Sequence, residues 1–119
     1  MADSRRLILA SGSAARRAML ESAGIEFEVH VSSVDEDAVR FTLTADNDDI
    51  DPADIAEVLA RAKAEDVSRR FPGAVVIGAD QVLSLGREIL TKPADLEGAR
   101  STLMKLRGAT HELHAAVAV

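Results

Sequence analysis

Leu7-Ile8-Leu9-Ala10-Ser11-Gly12-Ser13-Ala14-Ala15-Arg16-Arg17 passes from an apolar run to a helical pattern across three small residues. The reading is strand, turn, helix: Leu7 to Ala10 as a short strand, Ser11-Gly12-Ser13 as the turn, and Ala14 to Ala23 as a helix closed by Gly24. Met19, Leu20 and Ala23 recur at spacings that bury one side of that helix. A half-buried strand follows, with Ile25, Phe27, Val29 and Val31 pointing one way and Glu26, Glu28 and His30 the other.

Outward from this unit, Ser32 to Asp51 is acid-rich with few periodic apolar residues, and reads as a loop holding one short helical turn around Val39 to Leu43. Asp51 is a candidate N-cap and Pro52 a favoured first-turn residue of a helix running to Arg70. Ile55, Leu59 and Ala62, with Val58 beside them, form its buried stripe, and Phe71-Pro72-Gly73 stops it. Ala74 to Ala79 is an apolar strand ending at Asp80; Gln81 to Leu90 is a second extended stretch with a hairpin turn at Gly86-Arg87. A helix from Asp95 to Leu106 sets Leu96, Ala99, Leu103 and Leu106 on one face, Gly108 ends it, and His111 to Val119 is again strand-like. This order predicts a mixed α/β layer fold. Ala115 to Val119 resembles a buried central strand with nothing after it to cover it, the mark of a chain cut short.

Of the 119 residues, 14 are Lys or Arg and 20 are Asp or Glu, a formal net charge of −6. An acidic chain without basic blocks suits a DNA backbone poorly, because Lys and Arg clusters supply most of that affinity. Phe27, Phe41 and Phe71 lie too far apart in sequence to stack bases in series. The absence of Cys excludes a disulfide scaffold, thiolate zinc sites and a thiol nucleophile. Ser4-Arg5-Arg6-Leu7-Ile8-Leu9 imitates a twin-arginine export signal, yet the apolar run ends at Ala10 and Arg16 and Arg17 follow. No stretch approaches the ~20 apolar residues of a membrane span. The chain therefore reads as one soluble, cytoplasmic domain over residues 1–119.

Three segments carry candidate chemistry. Ser11-Gly12-Ser13 with Arg16 stands at a strand-to-helix turn, where backbone N–H groups, hydroxyls and a guanidinium can gather around phosphate; simple N-capping by Ser13 is the alternative. Asp80 follows a run of apolar strand and is placed to bind a metal or activate water, or else to form a turn. Asp35-Glu36-Asp37 follows another strand, and one of these acids can share a metal with Asp80, since Mg²⁺ is usually held by one or two carboxylates plus substrate phosphates. Lys63, one step from the buried stripe, and Lys92, before Pro93, can each reach a phosphate or simply face solvent. His30, His111 and His114 lack the spacing of a zinc pair and read as surface histidines.

Taken in order, Leu7–Arg17, Val34-Asp35-Glu36, Ala62-Lys63-Ala64, Val76-Ile77-Gly78-Ala79-Asp80-Gln81-Val82, Lys92-Pro93 and Leu106-Arg107-Gly108 to His111 resemble the Maf family of nucleoside triphosphate pyrophosphatases, also called septum-formation-inhibitor-like proteins. The resemblance implies a Maf/ITPase-like α/β fold, a mixed twisted sheet flanked by helices, of which this chain is the N-terminal portion. It implies hydrolysis between the α and β phosphates of a canonical or modified nucleotide, with Mg²⁺ or Mn²⁺, in a homodimer. Asp80 would be the catalytic acid and a metal ligand, Glu36 the second metal ligand, and Ser11, Arg16, Lys63 and Lys92 the triphosphate-binding residues. Ala15 and Gln81 stand where the family chooses its base. Gln81 resembles the branch acting on methylated guanosine triphosphate, Ala15 fits neither pattern, and the base stays open. A non-catalytic nucleotide-binding or cell-division regulatory protein is the alternative function.

Overall fold

Residues 5–45, 50–86, 88–91 and 93–119 are described by the computed structural model. Strand β1 (Leu7–Leu9) pairs in parallel with β2 (Glu28–Val29) and with β3 (Val75–Leu85), Ile8 standing opposite Glu28 and Val76. Farther along, β3 pairs antiparallel with β4 (Glu88–Leu90) and β5 (Glu112–Ala118). The result is the expected mixed sheet, with four helices among the described residues: α1 (Ala14–Ser22), α2 (Glu36–Ala45), α3 (Pro52–Arg70) and α4 (Leu96–Leu106). Among the described residues no helix is long and apolar enough to cross a membrane.

Three caps explain why helices begin where they do. Ser13, Asp51 and Asp95 have extended backbones, and their side chains accept from the N–H groups of Arg16, Ala53 and Gly98. Gly24, at φ 73°, ends α1 in the left-handed conformation that a side chain resists.

The central packing unit is α3 against β3. Ile55, Ala56 and Leu59 join Val82 in one buried cluster; Ala64 and Val67 join Ile8, Ala10 and Val76 in another. Full burial of Ile55 or Leu59 contributes about 1.5–3 kcal/mol each. The helix lies close because Gly78 has no side chain: a Cβ there would run into the Ala60 carbonyl oxygen and stand 2.8 Å from the Ala64 nitrogen.

Five expectations change. Ser32 to Ala45 is not mainly loop: Asp35 accepts from the Ala38 amide, Glu36 and Asp37 occupy the favourable first turn, and Val39 and Leu43 pack on the Ile55 cluster, so α2 forms. Asp46, Asp48 and Asp49 lie outside the described residues, as does Arg87 of the expected hairpin turn. The buried stripe of α3 runs through Ala56, Ala60, Lys63 and Ala64 rather than Val58 and Ala62. Strand β2 is shorter than Ile25 to Val31, since β1 offers it only Ile8 and Leu9 as partners. Neither α1 nor α4 has a buried residue, and Met19, Leu96 and Leu103 are exposed, because the described residues set no element broadly across those faces. Finally, β5 is not a buried central strand: among the described residues it pairs with β3 alone, with His114, Ala116 and Ala118 half-buried while Leu113 and Val117 stand exposed.

At the start of β1, the Arg6 guanidinium grips Glu28 through two bonds of 2.6 and 2.5 Å and lies over the Phe71 ring, against which His30 also stacks. The Arg6 hydrogen bond, with a further one from His30, pulls the Glu28 carboxyl down to about 2. A depressed carboxylate contributes stability above its ordinary value of 4.5, and that contribution is lost as pH falls through about 2.

Two measurements follow from this packing. Gly78→Ala should lower unfolding stability by about 1–3 kcal/mol or more, read from denaturant midpoints. Glu28→Gln should flatten the fall of the urea midpoint between pH 4.5 and about 2 relative to wild type; an unchanged acid limb would show that the Arg6 pair does not act on stability.

Candidate active site

The sheet itself makes the opening. β1 occupies β3 at Val75 to Ile77 and β4 occupies it at Leu83 to Leu85, whereas Gly78 to Val82 have a ladder partner only in β5 among the described residues. One flank of β3 is thus left without a strand between the ends of β1 and β4. A cavity of about 550 Å³ fills that place, within the usual range for small-molecule sites. Ser11, Gly12, Ser13 and Arg16 line it from one side, Ile89 to Thr91 from another, and Glu36, Arg40, Lys63, Asp80 and Gln81 bring most of its remaining polar groups.

Asp80 corrects an expectation. It lies within β3 rather than at a strand end, because pairing with β5 carries the strand on to Leu85. Strand alternation puts Asp80 on the same face as Gly78, and the close approach of α3 there brings Lys63 within reach. Lys63 Nζ donates to Asp80 Oδ1 at 2.9 Å and to the Ala79 carbonyl at 3.3 Å, and forms an ion pair with Glu36 Oε1. Lys63 and Asp80 are only 9% and 8% exposed, so this lysine belongs to the buried stripe and not beside it. A buried ion pair of this kind offsets its desolvation only when its remaining groups are bonded, and removing one partner costs about 3–5 kcal/mol.

At the turn after β1, Ser11 Oγ accepts from the Ser13 amide and from Arg16 Nη1, both at 3.1 Å, while Ser13 Oγ accepts from the Arg16 amide at 3.2 Å. Ser13 does cap α1, and Arg16 is drawn into the cavity rather than solvated. No carboxylate pairs with its guanidinium among the described residues, so its charge faces the cavity at the start of a helix, an arrangement suited to an anion.

Two further contacts hold the opposite wall. Asp66 accepts from the Ser33 amide at 2.9 Å and from its hydroxyl, and Arg70 donates to the Val31 carbonyl at 2.9 Å. Donation by the Ser33 amide, then its hydroxyl and the nearby Arg70 and Arg69 charges, keeps the Asp66 carboxyl below its ordinary value. These bonds tie the segment leading into α2, and so Glu36, to α3.

Ser11, Arg16, Glu36, Lys63, Asp80 and Gln81 therefore converge on one cavity. Ala15 is exposed on α1 and outside the lining, and Lys92 lies outside the described residues. Arg40 was not singled out from the sequence. It is an inward-facing residue of α2, 3.9 Å from Glu36 Oε2 and 2.9 Å from Asp37 Oδ1. Its signal was the Glu36–Arg40 spacing of one helical turn, visible only once a helix is assigned there.

A family model described as Maf-like protein matches residues 6–119. The chain is 51% identical over 114 residues to a 7-methyl-GTP pyrophosphatase of Rhizobium johnstonii, covering 96% of this chain and 56% of that protein. It is 52% identical over 112 residues to a 7-methyl-GTP pyrophosphatase of Brucella abortus, covering 94% and 55%. A nucleoside triphosphate pyrophosphatase of Paramagnetospirillum magneticum is 53% identical over 110 residues, covering 92% and 56%. The chain spans about half the length of these curated relatives.

Proposed function

The chain belongs to the family of Maf-like proteins, and on that premise we propose that it serves a nucleoside triphosphate pyrophosphatase, hydrolysing the bond between the α and β phosphates. The observation that carries this reading is the convergence on one cavity of a guanidinium at a helix start, with no carboxylate partner among the described residues, and the buried Lys63–Asp80 pair joined by the half-buried Glu36.

In this reading water attacks the α phosphorus, the bond to the β-phosphate oxygen breaks, and a nucleoside monophosphate and pyrophosphate leave. Asp80 takes the water proton on its carboxylate. Arg16, Ser11 and the turn amides, with Lys63 and Lys92, hold the phosphates and spread their charge. Such catalysis depends on positioning and charge stabilisation more than on a covalent nucleophile. Glu36 and Asp80 fit a divalent metal: both are hard oxygen donors, and both already bond one cation, the Lys63 ammonium. When bound, Mg²⁺ or Mn²⁺ would neutralise phosphate oxygens and make the water more acidic.

Gln81 in the lining and the relatives named 7-methyl-GTP pyrophosphatase support 7-methyl-GTP as the first substrate to try. The exposed Leu113 and Val117 on one face of β5 accord with a homodimer.

With Mg²⁺ or Mn²⁺ and a panel of canonical and methylated triphosphates, pyrophosphate should appear, and Asp80→Asn should slow its release by roughly 10²–10⁴-fold. Binding without release would favour the non-catalytic regulatory alternative. Sedimentation should give twice the mass of one chain; a monomer at all concentrations would reject the dimer.

A further inference from the structure

A lysine ammonium has three N–H donors and no acceptor. Those of Lys63 face three oxygens: Asp80 Oδ1 at 2.9 Å, the Ala79 carbonyl at 3.3 Å and Glu36 Oε1. From this position Lys63 has no donor left for a phosphate, although it lines the cavity in which the phosphates would sit. Its ammonium also stands between the two carboxylates that suit a divalent cation, and two cations cannot share that place. No group of three or more His, Cys, Asp or Glu forms a metal cluster among the described residues, so the local charge available to a free metal ion comes mainly from Glu36 and Asp80. With the ammonium there, the two carboxylates and Lys63 together keep a single net negative charge, which Arg40, 3.9 Å from Glu36 Oε2, weakens further.

We propose that Lys63 is the resting counter-ion of this site and exchanges partners on substrate binding, releasing Glu36 and Asp80 to a divalent cation as it turns its ammonium to the phosphates. The inference rests on the nucleotide-and-metal reading above and deepens it. Burial decides the direction: a lysine only 9% exposed does not leave its carboxylates for water, but it keeps a charge partner when it passes to a triphosphate in the adjoining cavity. The four-carbon stem supplies the freedom to swing. Glu36 is not left alone by the exchange, because Arg40 stands 3.9 Å from its other oxygen. Metal and nucleotide therefore bind as one event: each removes an obstacle to the other, and by linkage the coupling is reciprocal. The free protein resists the metal ion because it already holds a cation.

The test is a Mn²⁺ titration of the chain without nucleotide, followed by electron paramagnetic resonance. Wild type and Lys63→Arg, which keeps the charge, should bind Mn²⁺ weakly. Lys63→Met should bind it more tightly, by roughly tenfold or more, because removing a unit charge at contact distance removes a strong repulsion. Lys63→Gln, which keeps a donor for Asp80, should do the same if the methionine variant folds poorly. Adding Glu36→Gln to either neutral variant should abolish the gain, locating it at this site. Thermal melts give a second readout, in which Mn²⁺ raises the midpoint of the neutral variants more than that of wild type. Neutral variants that bind Mn²⁺ no better than wild type overturn the exchange, even if wild type releases pyrophosphate. Tighter Mn²⁺ binding in the neutral variants, beside a wild type that releases no pyrophosphate, upholds Lys63 as the resting counter-ion and removes the catalytic reading instead.

Discussion

A buried ammonium held by two carboxylates fixes three elements relative to one another. Lys63 comes from α3, Asp80 from β3 and Glu36 from the first turn of α2, so each element is positioned by the same charge. Charges with so little solvent around them are tolerable only when each is met; among the described residues every buried side-chain nitrogen or oxygen has a partner. The contact is possible because Gly78 lets the helix backbone approach the strand, two residues from Asp80. The apolar clusters around Leu59 and around Val67 flank Lys63 along α3, and the pair opens on the cavity. Packing and polar chemistry are in this way one construction.

The position of the cavity is a matter of sheet topology. A strand as long as β3 is served on one flank by β5 and elsewhere by β1 and β4, two short strands that end before meeting. Ligand sites in α/β proteins gather where neighbouring strands diverge, because loops from both sides can then face one another. Here the turn after β1 and the end of β4 do so, and α2 closes a third side through the bonds of Asp66 and Arg70.

Local chemistry made much of this legible. Ser13, Asp51 and Asp95 mark helix starts by their own side chains, and Phe71-Pro72-Gly73 ends α3 without help from the rest of the chain. The continuity of β3 through Asp80 was not legible, because it depends on β5, more than thirty residues onward in the sequence. Lys63 looked peripheral since a lysine beside an apolar stripe is ordinarily solvated; only its two carboxylate partners make an inward position tolerable. Helix α2 was hidden by its acids, which read as solvated loop although they occupy the end of a helix that favours negative charge. The apolar faces of α1 and α4 followed the right period, yet periodicity states a capacity for burial and not the presence of something to be buried against.

The turn from Ser11 to Arg16 owes its shape to its own hydrogen bonds, since the helix it opens has no buried side chain. Geometry of that kind is autonomous: it is encoded within half a dozen neighbours and borrows little from the interior. Changes at its exposed positions, Gly12, Ala14 and Ala15, can consequently retune this rim of the cleft with little effect on resistance to unfolding, whereas Ser11, the capping Ser13 and the Lys63 side of the same cleft have no such freedom.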